Sequence, residues 1–214
     1  MKIEIKKSIK CVDYDVALKF LEKRVEDVIN GKKPELLWIL EHKPIFTAGT
    51  SYRENEILNK TINLVKTSRG GKITYHGPGQ VVIYPILDLK RHGQNLSGYL
   101  EAMEEGMIEA LSFYGLKAKG NEDRGRPDYT GVWVETELGL KKIASIGIAV
   151  KKWITFHGLA LNLYSDPLAF SGIKPCGFTT HTMTNLEALK NEKVDRTTFE
   201  NQLSHILVKK FSSL

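Results

Sequence analysis

"YTGVWVETELGLKKIASIGIAVKKWITFHGLALNL", residues 129–163, is the stretch of sequence that decides the fold class. It is rich in short apolar runs separated by glycines and charged residues, a pattern typical of consecutive antiparallel hairpins. The strands therefore follow one another instead of alternating with helices. We predict an α+β layer architecture rather than a doubly wound parallel sheet.

The segments on both sides of this stretch predict helices and further strands. Apolar residues at helical spacing predict helices over 14–29, over 96–114 and from about Asp195 onward. Strands are predicted in "KIEIKKSI", "ELLWILEH" and "QVVIYPILDL", and Pro85 places the last of these at a sheet edge or a bulge. Since no internal repeat or linker is visible, we predict a single domain over 1–214.

The composition is that of a soluble globular protein. Of the 214 residues, 42% are hydrophobic and 26% are charged, and no apolar run approaches the length of a membrane span. The N-terminal "MKIEIKKSIK" lacks the apolar core of a signal peptide. The two cysteines, Cys11 and Cys176, are too few for a disulfide framework, although one bridge between them stays open. We expect a cytoplasmic protein without a membrane segment.

The chain is basic, with a net charge of +6 and a pI near 9.1, and this favours acidic partners. The basic charge has three interpretations: a nucleic-acid partner, an acidic protein partner, or a basic surface that is only solvated. The basic residues are scattered in pairs such as Lys32-Lys33 and Lys151-Lys152, without a long basic run or a ribonucleoprotein-type aromatic motif. A nucleic-acid-binding module would bind heparin or RNA with a steep salt dependence. The pattern argues against that module.

"SRGGKITYHGPGQ", residues 68–80, is the densest unusual segment. It is neither a Walker loop nor a dinucleotide fingerprint, because the required glycines and the Ser or Thr after lysine are absent. Backbone amides exposed by its paired glycines could hold a carbonyl or phosphate oxygen, and a plain glycine-rich hairpin is the alternative. His76 has no His or Cys at metal-ligand spacing, so the segment predicts no metal site.

Two further residues have a structural and a functional interpretation. Lys142 lies at the start of the strand "KKIASIGIAV". Alternation along the strand puts one of its two lysines on the face of the small residues, unless the strand bulges. The lysine either reaches out to water or holds its ammonium in a pocket. His157 is interpreted as a strand-end histidine with its hydrogen bonds satisfied. Gly158 and Ala160 after it would leave room for a ligand.

Cys176 lies in "FSGIKPCGFTTHT", residues 170–182, a loop with glycines and a proline and no periodic apolar neighbours. A free cysteine has a pKa of about 8.5, so only a small fraction is thiolate at neutral pH. A neighbouring ammonium would lower that pKa and raise the nucleophilic fraction. The residues alone therefore predict a thiol enzyme with a nucleophile on a loop.

Several segments together resemble a known family, the lipoyl(octanoyl) transferases. They are "LLWILEHKPIFTAGTS", "RGGKITYHGPGQVVIYPILDL", "GVWVETELGLKKIASIG", "WITFHGLALNL" and "IKPCGF", in that order. The resemblance covers about residues 36–178. It implies the α+β biotin/lipoate ligase fold, with a mixed sheet flanked by helices, and no cofactor. Phe178 and the stretch "THTMTNLE" depart from the family pattern.

The resemblance also implies a reaction and its residues. An octanoyl group would pass from acyl carrier protein, through a thioester on Cys176, to a lysine of a lipoyl domain, with Lys142 as the partner of the cysteine. The acceptors would be lipoyl domains of 2-oxoacid dehydrogenase complexes and the glycine cleavage H protein. The implied acyl-pocket residues are Arg69, Gly70, Gly71, Lys72, Ile73, Thr74, Tyr75, His76, Ser145, Ile146, Gly147, Gly158, Leu159 and Ala160, with His157 as a supporting residue.

An ATP-dependent lipoate ligase of the same fold is the alternative enzyme. Such ligases share a glycine-rich motif that ends in Tyr-His, activate the free acid as an adenylate and need no nucleophilic cysteine. A requirement for ATP would therefore separate the two.

Overall fold

The computed structural model describes residues 3–121, 129–178 and 182–214, and the side chain of Cys176 lies outside the described part. The strands are β1 (Glu4–Lys7), β2 (Leu36–Leu40), β3 (Ile45–Ala48), β4 (Leu64–Lys66), β5 (Ile73–His76), β6 (Gln80–Ile86), β7 (Ala118–Lys119), β8 (Gly131–Thr136), β9 (Gly139–Lys151) and β10 (Ile154–Asn162). The helices are α1 (Tyr14–Ile29), α2 (Leu96–Ser112), α3 (Leu186–Lys190) and α4 (Arg196–Phe211). Within these ranges, no helix is long and apolar enough to cross a membrane.

A mixed seven-stranded sheet, in the order β1-β2-β6-β10-β9-β8-β7, forms the centre of the molecule. The β1–β2 pair is parallel, and the other neighbours are antiparallel. Strands β8, β9 and β10 are consecutive hairpins, as residues 129–163 predicted. A three-stranded sheet, β4-β3-β5, contains the strand that follows the glycine-rich loop.

Helices cover both faces of the large sheet. Helices α2 and α4 pack on one face in the larger apolar core, and α1 packs on the other through Ala17, Leu21, Val25 and Val28. These four positions repeat at three- and four-residue spacing, which is why α1 begins and ends where the sequence predicted. The architecture confirms the predicted α+β fold with a mixed sheet flanked by helices.

The prediction for Pro85 was wrong in both alternatives: β6 is the third strand of the large sheet and not an edge strand, and the register on either side of Pro85 contains no extra residue that would form a bulge. Pro85 has no N–H, and its carbonyl accepts a hydrogen bond from the Thr155 hydroxyl at 3.0 Å. Opposite it, His157 adopts a φ of +58°. Pairing with β10 resumes where Thr155 N donates to Leu87 O at 2.9 Å. The sheet thus accommodates the proline by an interruption inside the ladder.

A β-bulge decides which way Lys142 faces. Trp133 pairs with Lys142 while the adjacent Val132 pairs with Ala144, so Ile143 is an extra residue in β9. Ile143 and Ala144 both pack into the core under α2 and α4. Because the bulge breaks the alternation of the strand, Lys142 points to the opposite face from Ala144, the face that carries Ser145 and Gly147.

Candidate active site

A narrow pocket lies on the α1 side of the large sheet, between β9, β10 and the glycine-rich loop. Its empty volume is about 460 Å³, open solvent at the mouth included. The lining residues are Tyr14, Arg69, Gly71, Lys72, Thr74, His76, Tyr84, Ser145, Ile146, Gly147, His157, Gly158, Leu159 and Ala160.

Most of the residues that the sequence analysis assigned to an acyl pocket therefore lie together, and Gly70, Ile73 and Tyr75 do not line it. Side chains alternate along β5, so Thr74 and His76 face the pocket while Ile73 and Tyr75 pack into a separate small core. Gly70 instead donates its N–H to Ile148 O of β9 at 2.7 Å. This bond fixes the glycine-rich loop against the sheet.

The glycine at position 147 lets this loop approach the floor of the pocket. A Cβ at Gly147 would lie 3.0 Å from Gly70 O and 3.2 Å from Arg69 Cδ. Gly71 has a φ of +86°, a left-handed conformation that favours glycine. A larger residue at Gly147 would push the loop away from the sheet, whereas one at Gly71 would strain the turn.

Arg69 is a buried cation in the wall of the pocket. Its Nη2 donates to Thr47 O at 2.8 Å and to Thr47 Oγ1 at 2.9 Å, and Nη1 donates to Gly70 O at 3.0 Å. These bonds tie the loop to β3. The positive charge also lowers the pKa of His76, after burial and the neighbouring His42.

Lys72 lies against the turn that contains Cys176. Its Nζ is 3.6 Å from the buried carboxylate of Glu56, whose backbone carbonyl accepts a hydrogen bond from Lys174 N at 2.7 Å. A Cβ at Gly177 would lie only 2.7 Å from Lys72 Nζ. The 3₁₀ turn Pro175–Gly177 is thus positioned by the 3₁₀ turn Glu54–Glu56 and by the lysine ammonium.

Lys142 is buried, with 1% of its surface exposed, so the interpretation of a lysine that reaches out to water was wrong. Its Nζ donates to Thr130 O at 2.8 Å and lies 5.2 Å from the centre of the Trp133 ring. The bulge in β9 is the physical reason, because it turns Lys142 toward the interior on the pocket side. A cation held between a carbonyl oxygen and an indole face is stabilised by both.

The chain around Cys176 folds back onto this lysine. The Phe178 ring packs edge-on against Trp133 at 5.3 Å, and Thr184 N donates to Lys142 O at 3.0 Å. The backbone of Cys176 lies in the turn Pro175–Gly177, and its side chain is outside the described residues. Two regions more than thirty residues apart in sequence thus come together at the Trp133 ring.

Three residues of the pocket region were not assigned to the site from sequence, namely Tyr14, His42 and Tyr84. His42 Nδ1 donates to Val12 O at 2.9 Å, so its Nε2 accepts from the Tyr84 hydroxyl at 2.7 Å. Burial lowers the pKa of His42 to about 4, which keeps the ring neutral. The one signal in the sequence was a tyrosine within the aliphatic run "VVIYPIL".

The sequence predicted that the hydrogen bonds of His157 are satisfied, and the structure differs from this prediction. It is 1% exposed, and neither ring nitrogen has a hydrogen-bond partner among the described residues. Burial, with the Arg69 charge and His42, lowers the pKa of His157 to about 3. The Tyr84 ring lies edge-on to it at 6.2 Å. An uncharged imidazole with no hydrogen-bond partner in the described part of the chain therefore faces the pocket.

These buried histidines predict a pH dependence of stability. In the unfolded chain histidine takes up a proton near pH 6.5, whereas His42 and His157 stay neutral in the folded protein down to pH values of about 4 and 3. The unfolded state therefore binds more protons than the folded state below pH 6.5. As the pH decreases below this value, the free energy of unfolding falls by about 1.4 kcal/mol per pH unit for each histidine. Urea unfolding between pH 7.5 and 5 measures this slope.

His157→Asn should reduce that slope by about one histidine's share, since asparagine tolerates a positive φ and does not titrate. His205 is exposed on α4, and His205→Gln serves as the control. The same slope in the wild type and in His157→Asn would contradict the prediction.

In the three described ranges, no group of three or more His, Cys, Asp and Glu side chains could hold a metal ion.

Cys11 is an exposed free thiol, so the disulfide between Cys11 and Cys176, which the sequence left open, is not formed. Partial desolvation and the nearby Glu41 carboxylate raise the pKa of Cys11, the opposite of what activates a nucleophile.

The chain is similar to known proteins over most of its length. The family model of the lipoyl protein ligase A/B catalytic domain matches residues 13–208. Octanoyltransferase of Rickettsia prowazekii is 43% identical, over 83% of this chain and 85% of its own.

Two solved structures share the fold at low sequence identity. Protein Ta0514 of T. acidophilum, solved with bound lipoic acid, superposes with a TM-score of 0.75 at 17% identity, over 99% of this chain and 87% of its own. Lipoate-protein ligase A bound with ATP superposes with a TM-score of 0.72 at 16% identity, over 98% and 86%. The fold is therefore the lipoate ligase fold, as the resemblance implied.

Fold, pocket and relatives together define a class, an enzyme of the transferase type built on the lipoate ligase fold. The chain belongs to the lipoyl protein ligase A/B catalytic domain family, in the group of the lipoyl(octanoyl) transferases.

Proposed function

We propose that this enzyme transfers an octanoyl group from acyl carrier protein to a lysine of a lipoyl domain, through a thioester on Cys176. The observation that carries the proposal is the buried ammonium of Lys142 over the Trp133 ring, against which Phe178, the residue that follows the turn Pro175–Gly177, also packs. A pocket floored by small residues lies on the same face of the sheet. A cation in that place favours the thiolate of a nearby cysteine over the thiol.

In the first step the Cys176 thiolate attacks the thioester carbonyl of the octanoyl carrier protein. A new C–S bond forms, the bond to the carrier sulfur breaks, and the departing carrier thiolate takes a proton from Lys142. The backbone amide of Gly71 in the glycine-rich loop is the candidate donor to the oxyanion, because the Gly70 N–H is already bonded to Ile148 O. Lys142 is then a neutral amine, and Cys176 carries the octanoyl group.

In the second step Lys142 takes a proton from the ammonium of the acceptor lysine, because only the neutral amine is nucleophilic. That amine attacks the acyl-enzyme carbonyl, an amide bond forms, and the Cys176 thiolate leaves. The second proton of the attacking nitrogen goes to solvent. Lys142 ends as an ammonium and Cys176 as a thiolate, so the enzyme is ready for another cycle.

The pocket suits an unbranched acyl chain. Small residues, Gly147, Gly158 and Ala160, line the pocket, and burial of a chain is worth about 0.8 kcal/mol per methylene. The net charge of +6 would attract acidic carrier and acceptor domains. The acceptors we propose are lipoyl domains of 2-oxoacid dehydrogenase complexes and the glycine cleavage H protein. A thiol nucleophile stays reduced in the cytoplasm, where we propose that the reaction takes place.

The experiment that tests this function needs no nucleotide. Purified enzyme, octanoyl carrier protein and a lipoyl domain are mixed in buffer treated to remove ATP, and the octanoylated lysine is detected by intact mass. We expect transfer at the full rate, unchanged when ATP is added, because the thioester already supplies an activated acyl group. Transfer that requires ATP and free octanoate would instead favour the ligase reaction.

A further inference from the structure

His157 combines an unfavourable backbone conformation with a buried imidazole whose hydrogen bonds are unsatisfied among the described residues. Its φ of +58° is rare for a residue with a side chain, and its buried ring nitrogens have no partner in the described part of the chain. A positive φ of this kind and an unsatisfied buried polar group each destabilise the folded state. The pairing opposite Pro85 accounts for the backbone conformation, but the ring, unpartnered among the described residues, needs an explanation outside the hydrogen bonding of the fold.

The left-handed conformation aims the ring into the pocket. Alternation along β10 puts Leu159 and Leu161 in the core under α2 and α4, and a regular strand would turn His157 to that side too. Instead the imidazole lies between the Phe156 ring, at 5.0 Å, and the Tyr84 ring, at 6.2 Å. Tyr84 cannot swing away, because its hydroxyl donates to His42 Nε2.

The register of β9 and β10 places this ring at the far end of the pocket. Ser145, paired with Ala160, is the pocket residue of β9 closest in sequence to Lys142, and Ile148 is paired with His157. The three residue steps from one pair to the other span about 10 Å, at about 3.3 Å per step. An extended octanoyl group is of similar length, about 9 Å from its carbonyl carbon to its methyl carbon over seven bonds.

We infer that His157 is the residue that limits the acyl chain to about eight carbons. The inference rests on the proposed function, with the thioester carbonyl at the Ser145–Ala160 pair. The terminal methyl then meets the imidazole, and a longer chain would have to displace a ring fixed by Tyr84, Phe156 and its own backbone conformation. The ring acts as a stop by its position and rigidity, and it takes no part in the bond-making steps.

The test is His157→Gly, which removes the ring and is also the substitution that a φ of +58° tolerates best. Octanoyl, decanoyl and dodecanoyl carrier proteins are compared by kcat/KM of transfer. Since each buried methylene is worth about 0.8 kcal/mol, two more should raise the ratio of decanoyl to octanoyl transfer roughly tenfold over the wild type. Gln94→Gly, at an exposed loop position with a φ of +54°, is the matched control and should leave the ratio unchanged.

A second readout does not depend on transfer. Saturated fatty acids of eight, ten and twelve carbons are titrated onto the folded proteins, and the rise in Tm is measured. The wild type should respond most to the eight-carbon acid and His157→Gly to a longer one. An unchanged order of chain lengths in a folded His157→Gly protein, in either measurement, would overturn the inference. A wild type that transfers nothing without ATP would overturn the proposed function, and the fatty-acid series would still decide the role of His157.

Discussion

Replacing Cys176 by serine is expected to abolish the acyl-enzyme and to lower octanoyl transfer by on the order of 10³-fold or more. A serine hydroxyl is almost entirely protonated at neutral pH, and the Lys142 ammonium cannot convert it into an alkoxide. With the wild type, octanoyl carrier protein should leave an adduct on Cys176 that hydroxylamine removes. Intact mass followed by peptide mapping measures both the adduct and its position.

Cys11 supplies the control for this experiment. It is exposed, and its pKa is raised by partial desolvation and Glu41, so we expect Cys11→Ser to keep full activity and a full adduct. An adduct that maps to Cys11, or normal transfer by Cys176→Ser, would show that the proposed nucleophile is wrong.

Replacing Lys142 is expected to give the second large effect, and two substitutions separate its two proposed roles. Lys142→Ala removes both the cation that favours the thiolate and the base that accepts a proton, and we expect roughly 10²–10⁴-fold slower transfer. Lys142→Arg keeps a positive charge, but a guanidinium does not release its proton in this pH range. The arginine variant should therefore form more acyl-enzyme than the alanine variant and still fail in transfer to the lipoyl domain.

Lys141→Ala is the matched control, because the neighbouring lysine is only partly buried and does not line the pocket. Rapid-quench measurement of the octanoyl adduct reports the first step, and the octanoylated lipoyl domain reports the second. Since Lys142 is buried, near-ultraviolet circular dichroism of each variant verifies that the fold is intact. A folded Lys142→Ala enzyme with wild-type transfer would exclude the proposed Cys–Lys pair.

Local patterns in the sequence were enough to place most helices and strands. The boundaries of α1 follow from apolar residues three and four positions apart, and the hairpins β8–β9–β10 follow from short apolar runs separated by turns. The glycine-rich loop, Lys142 and Cys176 were recognisable because each has an unusual residue type in an unusual local context. Interactions within a few residues of each other decide such features, so the sequence contains them in readable form.

The arrangement of the site depended on contacts that no local pattern contains. Pro85 lies in a central strand because β10 adapts to it with a positive φ at His157, and these residues are far apart in sequence. The extra residue opposite Trp133 turns Lys142 into the interior, where a regular strand would have kept it on the face of Ala144. Tyr14, His42 and Tyr84 meet only when α1, β6 and the segment after β2 are packed together. The sequence by itself determined the elements and the reactive residue types. The tertiary structure decided which side chains share a pocket, because strand order, bulges and burial depend on pairing between distant segments.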